Sequence, residues 1–65
     1  MLENVSWQMK VGDLVRHKIV TAYGVGLVTH VAEGTRALKV LWSINRSKVP
    51  TAEVRDMLEI VSEAG

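Results

Sequence analysis

Cysteine and phenylalanine are absent from this 65-residue chain, and proline occurs once. Without cysteine, disulfides and thiolate metal sites are excluded. A domain this small must then be held by packing or by a partner chain. The two histidines, His17 and His30, are too few for a structural zinc site without carboxylate help. Charge of one sign is also lacking. Eight basic and seven acidic side chains are spread along the chain and leave a formal charge of +1. A strongly electrostatic nucleic-acid binder shows a larger excess. No apolar run approaches the roughly 20 residues of a membrane span. Residues 1–10 hold no uninterrupted apolar stretch of the secretion-signal kind. A cytoplasmic protein with no membrane partner is therefore expected. The Asn45-Arg46-Ser47 sequon is then read as chance. No paired acids, no nucleophile with an identifiable base and no phosphate loop are present. The expectation is no enzyme, no cofactor and no metal.

What remains is 48% hydrophobic residues, arranged as short strands between turn residues. One domain is expected. Gly12-Asp13 marks a turn into a strand over 14–20, with Val15, His17 and Ile19 on one face and Leu14, Arg16 and Lys18 on the other. Asp13 reads as a turn carboxylate that accepts backbone N–H bonds. Residues 21–24 break the run. A second strand covers Val25–Val31, where Gly24 and Gly26 suit a bulge or tight bend. Residues 33–35 form a hairpin turn. The third strand, 36–43, puts Leu38, Val40 and Trp42 on one face and Ala37, Lys39 and Leu41 on the other. Residues 44–50 read as loop. Residues 51–55 read as one helical turn capped by Thr51, and 57–61 as the closing strand. A helix over 50–62 is the alternative, because Val54, Met57, Leu58 and Val61 also fit a helical stripe. The turn-and-strand reading is favoured because it removes an unpaired sheet edge. Residues 62–65 are expected to fray. Val5, Trp7, Met9 and Val11 alternate with polar residues, so 1–10 reads as an arm or an extra strand.

Several segments carry a resemblance. Residues 11–16, Val-Gly-Asp-Leu-Val-Arg, resemble the opening strand of KOW and Tudor-type domains. Residues 26–31 resemble the KOW pattern of glycine followed by spaced valines. Residues 38–42 resemble a strand ending in a core aromatic, and 58–60 the closing strand. The resemblance covers roughly residues 10–61. It implies an all-β fold, a small five-stranded SH3-like barrel over 11–61 with a short helical turn before the last strand. It implies the class of binding modules and no single activity. Residues 12–18 with 22–24 also resemble the opening of the type II dihydrofolate reductases. Those enzymes line their pore with Val-Gln-Ile-Tyr. Residues 47–50, Ser-Lys-Val-Pro, lack the Gln and Tyr, so that activity is not carried over.

Two surfaces are candidates. In barrels of this kind the loops bearing Tyr23 and following Trp42 lie at one end. Together with Arg46 and Lys48 they form a candidate site for a base, a proline-rich peptide or a methylated amine. The competing reading makes Trp42 a core residue with Tyr23 packed over it. Arg16, Lys18 and Lys39 complete the basic side chains that phosphates would meet, or that simply solvate a barrel face. His17 and His30 read as structural, since two imidazoles alone make a poor metal site. Leu14, Leu27 and Leu41 lie opposite Val15, Val28 and Trp42, so both sheet faces carry apolar residues. That second face is a candidate homo-oligomer interface, or a surface covered by the 1–10 arm. The expected partner is a protein or a second copy of the chain, with nucleic acid as the other option.

Overall fold

The computed structural model describes residues 9–64. Five strands run in chain order: β1 (Leu14–His17), β2 (Val25–Val31), β3 (Ala37–Trp42), β4 (Thr51–Val54) and β5 (Leu58–Ser62). Single turns of 3-10 helix occupy Thr21–Tyr23 and Arg55–Met57. The strands form one antiparallel sheet in the order β4-β3-β2-β1-β5. The sheet stays open, with β4 and β5 at its edges. Among the described residues no helix is long and apolar enough to cross a membrane.

Period-2 alternation sets one face of the sheet inward. Val15, Val28, Leu38, Val40, Trp42 and Leu58 are buried there with Met9. Gly26 lies on the same face, between Val15 of β1 and Trp42 of β3. The indole covers the space a side chain would take: a Cβ on Gly26 would stand 2.6 Å from Trp42 Cε3. Regular alternation beyond Val28 would turn His30 inward. A bulge at Thr29 prevents this. Val28 pairs with Val40, but His30 pairs with Lys39 and Val31 with Leu38. The extra residue turns His30 outward and returns Val31 to the core. The irregularity expected at Gly24 or Gly26 thus sits at Thr29 in the ladder. Gly24, at φ +72°, ends the 3-10 turn instead.

Two boundaries differ from the sequence reading. The strand expected over 14–20 stops at His17, because the imidazole Nδ1 accepts the N–H groups of Ile19 and Val20 at 3.1 and 2.9 Å. Those bonds bend the chain away, and Ile19 is 68% exposed rather than on the Val15 face. The second difference is β4. Residues 51–54 form a strand, not a helical turn capped by Thr51, and no helix spans 50–62. The Thr51 hydroxyl donates to the Glu53 carboxylate at 2.7 Å and receives the Trp42 indole N–H. Backbone pairing with β3 runs from Thr51 opposite Val40 to Val54 opposite Ala37. The helical turn falls later, at Arg55–Met57.

Asp13 joins both ends of the described chain. Its side chain is fully buried. The carboxylate accepts the N–H of Lys10 at 3.0 Å and of Ala64 at 2.7 Å, and the Lys10 ammonium lies 3.4 Å away. The expected turn carboxylate is therefore also a clasp. Residues 62–65 were expected to fray, yet Ser62 belongs to β5 and the Ala64 N–H is held by Asp13. Of the alternating residues in the arm, Val5 and Trp7 lie outside the described residues. Met9 is buried and Val11 is exposed.

Candidate functional site

Three rings from three parts of the chain meet at one end of the sheet. Trp42 closes β3 and is only 4% exposed. Its indole N–H donates to Thr51 Oγ1 at 2.9 Å and Glu53 Oε2 at 3.2 Å. Tyr23, on the first 3-10 turn, packs against it with ring centroids 5.0 Å apart. His17 meets Tyr23 edge-on at 5.5 Å and Trp42 at 6.4 Å. Such tilted and edge-on contacts suit the ring quadrupoles. Because His17 Nδ1 accepts two N–H groups, the hydrogen-bond pattern assigns the ring proton to Nε2. That atom lies 3.9 Å from Glu53 Oε1. β1 and β4 are not neighbours in the sheet, so His17 and Glu53 span the gap between its two halves through side chains.

Above this network lies a groove of about 370 Å³, lined by Tyr23, Trp42, Ile44, Asn45, Arg46, Thr51 and Glu53. Its far wall is the 43–50 loop, which Asn45 organises. The Asn45 side chain accepts from the Ser47 N–H at 3.1 Å and hydroxyl at 2.6 Å, and donates to the Val49 carbonyl at 3.0 Å. The sequon amide is thus engaged within its own loop. Lys48 adopts φ +58°, a conformation costing a non-glycine residue about 1–2 kcal/mol. Replacing Lys48 with glycine is expected to raise stability by about 0.5–1 kcal/mol, measured by urea titration. No change in midpoint would mean the loop relaxes that strain elsewhere.

Tyr23, Trp42 and Arg46 are brought together. Lys48 is not with them. It lines a second groove with Leu14, Val25, Leu27 and Leu41, which adjoins the first through Trp42 and Asn45. Trp42 contributes to the site as buried support, so Tyr23 is the ring a ligand would touch. The basic set is also divided. Arg16 pairs with Glu59 and Arg36 with Asp56, whereas Arg46 makes no ion pair with another described residue. Lys39 lies on the outer face beside His30. His30 bonds its neighbour Thr29 at 3.0 Å, and the two histidines do not converge. Among the described residues no group of three or more His, Asp or Glu side chains is placed to hold a metal ion.

The sequence reading did not anticipate His17, Thr51 or Glu53 as parts of this end. The available signal was Thr51-x-Glu53, two polar residues at strand spacing that face the same side as the tryptophan's polar edge. Comparison with family models, with curated proteins and with solved structures finds no match for this chain.

Proposed function

We propose that the chain is a non-enzymatic binding module on a small SH3-like barrel, and that it binds an extended protein segment across the Tyr23 groove. The strand order, the single turn before β5 and the one shared core face support the barrel reading. The observation that carries the binding reading is the half-buried Tyr23 ring, fixed on Trp42 and His17, beside an Arg46 that makes no ion pair with another described residue. A ring held by two others loses little freedom on binding, which favours recognition. Arg46 supplies one charge to select an acidic neighbour.

The suited ligand is a peptide with a proline or other apolar side chain for Tyr23 and an adjacent carboxylate for Arg46. Nucleic acid is the weaker choice on this site, because Arg16 and Arg36 are already neutralised and a single groove cation gives little phosphate affinity. A groove of this size implies affinity on the order of micromolar or weaker. Peptides selected from a random library should be enriched in that pairing. Tyr23→Ala and Arg46→Glu should each weaken their binding about 10-fold, with circular dichroism unchanged. Peptides that bind both variants as well as the parent would contradict the assignment.

A further inference from the structure

We propose that His17 is a proton-sensitive latch on the Tyr23 turn: neutral, it holds residues 18–23 beside the groove, and protonated, it releases them. The imidazole Nδ1 accepts the N–H groups of Ile19 and Val20 at 3.1 and 2.9 Å. Packing does little to hold that bend, since Ile19 is 68% and Val20 37% exposed. The Val20 carbonyl in turn accepts the Tyr23 N–H at 3.2 Å. Tyr23 therefore hangs from a residue that His17 holds, and its ring also rests edge-on against the imidazole. The consequence for binding rests on the peptide reading of the Tyr23 groove; the latch itself does not.

Only a neutral ring can serve both N–H groups. An imidazolium is a donor at both nitrogens, so a proton on Nδ1 faces two donors and both bonds are lost. A partner for the charged ring is already in place. Glu53 Oε2 takes the Trp42 and Thr51 donors, which leaves Oε1 turned toward His17 Nε2 at 3.9 Å. That separation exceeds a hydrogen bond, but a released ring is free to close it into a charge-assisted one. The two side chains are 11% and 14% exposed, so salt screens their attraction weakly. On β3 and β5 the ring meets Trp42 and Leu58, which carry no charge. Arg16, Lys18 and Glu59 line a groove with His17, and Arg16 pairs with Glu59. Arg55 continues the edge past Glu53, its N–H on the Arg36 carbonyl. Lys18 and Arg55 are thus the cations that oppose a charged ring, and Glu53 is the anion that faces it. Two arrangements follow. Neutral His17 sits on the backbone with Tyr23 seated on Trp42, or charged His17 sits on Glu53 with the turn free.

NMR of the full chain from about pH 8 to about pH 5, the interval in which histidines change charge, tests this. The Ile19 and Val20 amide protons are expected to move together to solvent-exposed positions as the His17 ring takes its proton, with the Tyr23 ring signals following. The Val15, Val28 and Val40 methyls should stay in place. His17→Asn offers an oxygen to the same N–H groups but takes no proton, and should abolish the response. His30→Gln should leave it intact. The selected peptide, chosen without histidine, should bind about 10-fold more weakly at the acid end, as for a groove competent in roughly one molecule in ten. His17→Asn should remove that dependence too. A ring that protonates while both amides stay bonded overturns the proposal, as does a ring still neutral at about pH 5. So does a response that survives in His17→Asn, or peptide binding that ignores the moved amides. Amides that move with no peptide bound at either pH keep the latch and refute the peptide reading.

Discussion

Asp13→Ala is expected to destabilise the protein by about 2–4 kcal/mol, since it strips a charged acceptor from two backbone N–H groups. Those groups belong to Lys10 and Ala64, at opposite ends of the described chain. Losing the acceptor releases both the approach to β1 and the end of β5. Total stability for a 65-residue chain is about 3–10 kcal/mol, so the loss is a large share. Acid should reproduce part of it. Burial by itself pushes the Asp13 carboxyl up and is the largest single influence. The Ala64 and Lys10 N–H groups and the Lys10 ammonium together outweigh it, and the pKa lies below the ordinary 3.8. A carboxyl lowered by folding contributes stability above its unfolded pKa. That contribution fades as pH falls from about 3.8 through the lower folded value. Urea midpoints measured from pH 6 to pH 2 should therefore fall in the parent and fall less in Asp13→Asn. Parallel curves would show that Asp13 does not supply the dependence.

Gly26→Ala is expected to destabilise the protein too, by the opposite route. A methyl there would intrude on Val40 Cγ1 and on the Trp42 ring, at 2.6 Å from Cε3 and 2.9 Å from Cζ3. Both neighbours are buried, so neither can yield without moving the core. Overpacking of this kind costs about 1–3 kcal/mol, and displacing the indole also endangers its bonds to Thr51 and Glu53. The φ of Gly26 is not positive, so the cost is steric rather than conformational. A double-mutant cycle checks this. In a Trp42→Leu background, where the ring is gone, Gly26→Ala should cost markedly less than in the parent. An equal cost in both backgrounds would remove Trp42 as the cause.

The legible parts of the fold are those set by local pattern. β2 and β3 follow from alternating valines and leucines around Gly26, and the core face of β3 is Leu38, Val40 and Trp42 as alternation requires. Less legible were the features decided by side chains reaching across the structure. His17 ends β1 by binding the backbone ahead of it, which no propensity encodes. Residues 51–54 carry only four positions with alanine and glutamate among them. What makes them a strand is β3 beside them and the bonds joining Thr51, Glu53 and Trp42. The bulge at Thr29 was hidden for the same reason: it matters only once Val31 must face Leu38. At the candidate site, Tyr23 over Trp42 was readable from the loop order. Glu53 and His17 were not, because they meet only when β4 curls toward β1.

The binding of an extended peptide across the Tyr23 groove is tested most directly by an amide chemical-shift map of the full chain. A selected acidic, proline-containing peptide and a single-stranded oligonucleotide would be titrated separately at low salt. The peptide is predicted to move Tyr23, Gly24, Ile44, Asn45, Arg46 and Glu53, leaving Leu14 and Leu27 in place, while the oligonucleotide moves nothing. Shifts from the oligonucleotide with none from the peptide, or peptide shifts confined to the leucine row, would contradict it.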